Sequence, residues 1–178
     1  MRRIIAAVTA AAAALTLTGC AGEGAAIDGL RERLISAGAV TMDVEITSTL
    51  GGRLAEYTLS LERTTEGDTL TVLAPEEIAG AVLSGPGGGG FEYAGIVLDM
   101  PSEGLNAAAA PGLLLDAIES GAETLSWREG EDTLVSLALT DEISVTLTLR
   151  GGEPAYAEFT ASGESALTAE ISKFELGG

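Results

Sequence analysis

The sequence predicts an α+β, mainly β fold: a strongly curved antiparallel sheet of about ten strands, forming an unclosed half-barrel, with two or three helices covering its concave face. Three observations carry this. Most of the chain after Thr41 alternates apolar and polar residues with a period of two. Gly, Asp and Glu clusters interrupt that alternation at hairpin spacing. Two segments with helical periodicity each present one apolar stripe that needs a partner.

Ile27 to Ala37 reads as the first helix, with Ile27, Leu30 and Leu34 on one face and Gly38 as its stop. Met42, Val44 and Ile46 then alternate with Asp43, Glu45 and Thr47. Gly51-Gly52 turns the chain into Tyr57, Leu59 and Leu61, and Glu66-Gly67-Asp68 turns it again toward Leu70 and Val72. Ile78 to Leu83 and Phe91 to Leu98 read as two further strands, separated by a glycine-rich stretch from Gly85 to Gly90. Pro111 suits a first helical position, and Leu113, Leu114, Ala117 and Ile118 make a second helix ending at Gly121. Leu125 and Trp127 open a run of strands that continues through Val135–Leu139, Ile143–Leu149, Ala155–Phe159 and Leu167–Ile171. A change of phase at Phe174 predicts a bulge.

So many strands exceed what a flat open sheet carries without curling, and two helices are too few for a parallel fold. A closed barrel, or a sandwich with helices outside, are the alternatives. The bent sheet is preferred because it gives both helical stripes a surface to cover.

The amino terminus sets the expected location. Met1-Arg2-Arg3 is a basic start, and the run from Ile4 to Leu17 is uncharged. It is shorter than the roughly 20 apolar residues that span a bilayer and matches the core of a secretory signal. Leu17-Thr18-Gly19-Cys20 follows and holds the chain's single cysteine. These residues resemble the lipobox of bacterial lipoproteins. The resemblance implies a signal peptide over residues 1–19, cleavage before Cys20, a diacylglyceryl thioether on Cys20 and acylation, by palmitate, of the new amino terminus. Two or more acyl chains hold a protein stably where one does so marginally. Residues 20–26 then form the acylated cysteine and a short tether, and residues 27–178 form one domain.

Without residues 1–19, seven basic and 27 acidic side chains remain, a formal balance of −20. Such a surface repels nucleic acid and anionic headgroups. A core can still be built, because apolar residues make up 46% of the chain and are ordered by period. It must be aliphatic, since there are only seven aromatics, and it lacks disulfides, since there is one cysteine.

The order of elements, and the stretch Leu73-Ala74-Pro75-Glu76-Glu77-Ile78-Ala79-Gly80 followed by Phe91-Glu92-Tyr93-Ala94-Gly95-Ile96-Val97-Leu98, resembles the bacterial lipoprotein carrier and receptor family, LolA and LolB. That resemblance implies an unclosed barrel with helices as a lid over an apolar cavity. Cys20 places the chain nearer the lipidated members, including clostridial germination lipoproteins that partner a cell-wall amidase.

With no histidine and no second cysteine, Ser-His-Asp and Cys-His catalysis and His- or Cys-based metal sites are excluded. The acidic clusters Glu76-Glu77 and Glu129-Gly130-Glu131-Asp132 lie in turns and read as solvated, and Gly87–Gly90 lacks the lysine of a phosphate loop. The expectation is a non-catalytic lipoprotein on the extracytoplasmic face of the cell membrane, with no cofactor beyond its covalent lipid. It would bind an acyl chain, a lipoprotein or an apolar partner segment. Val44, Tyr57, Trp127, Leu137, Val145 and Leu147 are the candidate lining residues, with Met42 and Met100 as further dry-face positions. The alternative is an interaction lipoprotein with a filled core that holds or activates a cell-envelope enzyme.

Overall fold

The structure is a computed structural model that describes residues 24–84, 90–93, 96–99 and 105–178. The expected signal peptide, Cys20 and most of the expected tether, as well as Met100, lie outside the described residues. The elements are α1 (Gly24–Ser36), β1 (Ala39–Ser48), β2 (Ala55–Thr64), β3 (Gly67–Ala74), β4 (Val82–Ser84), β5 (Gly90–Tyr93), β6 (Ile96–Asp99), α2 (Ala110–Ser120), β7 (Ala122–Glu129), β8 (Asp132–Ala138), β9 (Ile143–Arg150), β10 (Glu153–Ala161) and β11 (Glu164–Gly177).

Eleven described strands form one antiparallel sheet in the order β6-β5-β4-β3-β2-β1-β11-β10-β9-β8-β7. Two meanders are thus joined at their middle by β1 and β11, and the sheet does not close: β6 and β7 end the order. The α+β half-barrel expected from the alternation is what forms, with α1 and α2 packed on its concave face. Period two explains the register. Val40, Met42, Val44 and Ile46 of β1 share the inner face with Leu59 and Leu61 of β2, and with Leu167 and Ala169 of β11. Val135, Leu137, Val145, Leu147, Leu149, Ala157 and Phe159 continue that face across the other wing.

Both helices bury their stripes in the same core. Ile27, Leu30 and Leu34 of α1 meet Leu114, Leu115, Ala117 and Ile118 of α2. Each of these leucines and isoleucines contributes roughly 1.5–3 kcal/mol by leaving water. Arg31 locks the helices together: its Nε donates to the Ile118 carbonyl at 2.8 Å and its Nη2 to the Gly121 carbonyl at 2.9 Å. A cation is thereby set where the α2 dipole is negative. The helix ends as Gly121 turns extended with its N–H on the Ala117 carbonyl, and the position takes glycine because a Cβ there would clash with that carbonyl oxygen.

The bulge expected near Phe174 is present. Asp43 pairs with Lys173 and Val44 with Ile171, which leaves Ser172 as the extra residue. Two expected strands differ. Ile78 to Leu83 is not one strand: Glu76–Ile78 is a 3-10 turn and only Val82–Ser84 pairs. Pro75 fixes φ and has no N–H to give the ladder. The chain rejoins β3 through Gly80, at φ +84°, whose N–H reaches the Val72 carbonyl. Phe91 to Leu98 is not one strand either, but the antiparallel pair β5 and β6, with Tyr93 opposite Ile96.

Candidate functional site

The residues expected to line a cavity are mostly sealed in the core. Val44, Leu137, Val145 and Leu147 are each 0% exposed. They share one buried cluster with the helix side chains, and none of the four lines the cleft at the start of α2. Tyr57, opposite Ile46, packs at the margin of the core and borders a surface hollow with Glu45, Glu56 and Pro75.

Trp127 is on the wrong face for the expected role. It pairs with Leu134, and the next residue, Val135, is buried, which places Leu134 on the outer surface. The cause is a bulge in β7: Glu123 sits opposite Leu137 on the inner face, but Leu125 sits opposite Ser136 on the outer one. The extra residue, Thr124, bonds through its hydroxyl to the Ser136 carbonyl. Leu125 is accordingly 59% exposed. Trp127, Leu134, Thr148 and Tyr156 then form one row across the convex face.

Open space lies elsewhere, between the start of α2 and both wings of the sheet. Leu61, Leu70 and Leu83 supply the floor from β2, β3 and β4. Gly112, Leu113 and Asp116 of α2 form one wall, and Leu139, Thr140 and Ile143, at the β8–β9 turn, form the other. The cleft has a volume of about 260 Å³. That is just below the roughly 300–1,000 Å³ of a whole small-molecule site, and suits the end of an apolar chain.

One end of this cleft is charged. The alternation that buries Leu59 and Leu61 brings Arg63 to the inner face, and the alternation of Val72 and Leu70 brings Asp68 there, directly opposite. Arg63 grips Asp68 with two bonds of 2.8 Å, from Nε and from Nη2. Its Nη1 lies 2.8 Å from Asp116 and 3.3 Å from Glu119, one turn apart on α2, and its Nη2 also donates to the Gly112 carbonyl at 3.3 Å. The Arg63 side chain is 19% exposed. Burial works against its charge, but the hydrogen bond to Asp68 and the charges of Asp116 and Asp68 outweigh that cost, so its pKa is raised above the ordinary arginine value. The network clamps α2, from Gly112 to Glu119, to the β2–β3 hairpin.

Sequence reasoning missed Arg63, Asp68 and Asp116. The signal was a charged residue continuing the inner-face phase on two consecutive strands, Leu59-Leu61-Arg63 and Asp68-Leu70-Val72. Among the described residues no group of three or more His, Cys, Asp or Glu could hold a metal ion, and no helix is long and apolar enough to cross a membrane.

No family model and no curated protein matches the chain. Solved structures similar to it include an uncharacterized conserved protein from Thermus thermophilus, at TM-score 0.48 and 9% identity over 87% of each chain. A LolA superfamily protein from Nitrosomonas europaea is similar at TM-score 0.47 and 11% identity, over 88% of this chain and 94% of that one. A putative outer membrane lipoprotein-sorting protein domain from Vibrio parahaemolyticus is similar at TM-score 0.46 and 10% identity, over 84% of this chain and 90% of that one.

Proposed function

We propose that this chain is an extracytoplasmic lipoprotein, held to the membrane through acylated Cys20, whose half-barrel binds the end of an acyl chain or an apolar partner segment. The observation that carries the binding reading is the cleft of Leu61, Leu70, Leu83, Leu113 and Ile143, left open beside an otherwise filled core. Each methylene that enters it contributes about 0.8 kcal/mol, so a few suffice for measurable affinity. The lipobox motif supports the anchor, and the lack of histidine supports a binding role over catalysis.

The test of binding is titration of a fluorescent neutral acyl probe into the full chain carrying Cys20→Ser, whose own acyl groups cannot compete. Saturable binding is expected, weakened at least about tenfold by Leu113→Trp, which fills the cleft from α2. Probe binding unchanged by that substitution contradicts the reading. The anchor is tested separately: protein from membranes should carry a diacylglyceryl mass on Cys20 and begin at that residue, and an unmodified Cys20 contradicts it.

A second reading is favoured by the convex face. Trp127, Leu134 and Tyr156, the last 38% exposed, offer a partner such as an envelope enzyme an aromatic row beside Glu129, Asp132 and Glu170. Loss of a co-purifying partner in Trp127→Ala with Tyr156→Ala would support it, and retention would exclude that face.

A further inference from the structure

The cleft has an electrostatic sign opposite to the one a fatty acid or an anionic phospholipid would need. Arg63, the one cation among the described residues of its lining, has every nitrogen engaged by Asp68, Asp116, Glu119 or the Gly112 carbonyl, so none is left to receive an anionic head. Two carboxylates of the lining, Asp68 and Asp116, against one guanidinium leave this end of the cleft at a formal −1, and Glu119, outside the lining, pairs with the same Arg63. The Asp116 side chain is 47% exposed, so its carboxylate can accept a further donor. Thr140 and Ile143 of the lining flank Asp141 and Glu142, both exposed, which add two acids on the α2-facing turn. The other basic groups with ion pairs are committed elsewhere: Arg31 to Asp28, Arg33 to Glu153, Arg150 to Asp132 and Lys173 to Glu175.

Resting on the reading that the cleft holds an apolar chain, we propose that it selects chains bearing a positively charged head, an amine-headed amphiphile or lipid, and rejects carboxylate-headed chains of equal length. The leucines supply affinity that is indifferent to the head. The carboxylates around Arg63 supply the sign, in a partly desolvated place where charge is poorly screened.

The experiment compares decylamine, decanol and decanoate by calorimetric titration into the full chain carrying Cys20→Ser, below the concentrations at which the amphiphiles aggregate. Decylamine is expected to bind about tenfold or more tighter than decanoate, with decanol between them. The margin should shrink to about threefold or less in Asp116→Asn with Glu119→Gln, whose folding is checked by thermal unfolding. Decanoate binding as tightly as decylamine while decanol also binds overturns the charge selection and leaves the cleft intact. Failure of all three to bind overturns the cleft itself. An amine preference that survives Leu113→Trp belongs to the acidic surface at large and also overturns the proposal.

Discussion

The concave face has two regions built from the same strand pattern, yet only one is closed. Around Val44, Leu137, Val145 and Leu147, the strands meet the helices side chain to side chain, and the four residues have no exposure. Around Leu61, Leu70 and Leu83, the α2 helix is just beginning, Ala109 precedes it, its first turn carries Gly112, and space remains. The difference lies in what faces the sheet. Leu114, Leu115 and Ile118 are buried in the closed core, whereas Gly112, the half-buried Leu113 and a charge network border the second region. A curved apolar sheet is therefore not in itself a cavity; the lid's side chains decide where volume is left.

Substitution separates the two regions. Leu147→Ala should cost about 2–5 kcal/mol in denaturant unfolding, because the surrounding core cannot collapse onto the hole. Leu113→Ala, at the wall of the cleft, should cost only about 1 kcal/mol, since its side chain already borders open space. Equal losses would mean that the cleft is closed in solution.

Next in size is the charged end. Arg63→Met leaves Asp68, Asp116 and Glu119 facing one another without a cation and should cost about 1–3 kcal/mol, less than breaking a wholly buried pair. The raised guanidinium pKa sets the sign with pH. The contribution is complete below the unfolded-state arginine value and is lost only above the folded one. The gap between wild type and variant should therefore be the same at about pH 7 and about pH 10, both of them below the ordinary arginine pKa. A gap that closes by about pH 10 would contradict the network.

The smallest effect is on the convex face. Trp127→Ala should change stability by about 1 kcal/mol or less. As the only tryptophan, Trp127 also reports its own position: its fluorescence should be quenched readily by acrylamide in the folded protein. Emission shielded from the quencher would return it to the core.

Much of this fold was legible in the residues. Alternation in β1, β2, β9 and β10 set the inner face, Gly51-Gly52 and Gly151-Gly152 marked hairpins, and the phase change at Phe174 marked the bulge. Gly151 and Gly152 both have positive φ, as the tight turn between β9 and β10 requires. Trp127 was misplaced because one extra residue, Thr124, reverses every side chain after it, and polarity on an edge strand gives little warning of that. The cleft was illegible for a different reason. Its position depends on which part of α2 lies over which strands, a tertiary fact, and periodicity records only that the helix has an apolar stripe. Arg63 and Asp68 were within reach of sequence reasoning, as charges standing in the core phase of neighbouring strands.

The most direct measurement is a crystal structure of the full chain carrying Cys20→Ser with a long-chain alcohol bound. The alkyl chain should lie among Leu61, Leu70 and Leu113, with α1 and the core around Val44 undisturbed. An alkyl chain lodged beneath α1 against Val44 and Leu147, with the helices lifted from the sheet, would contradict the account.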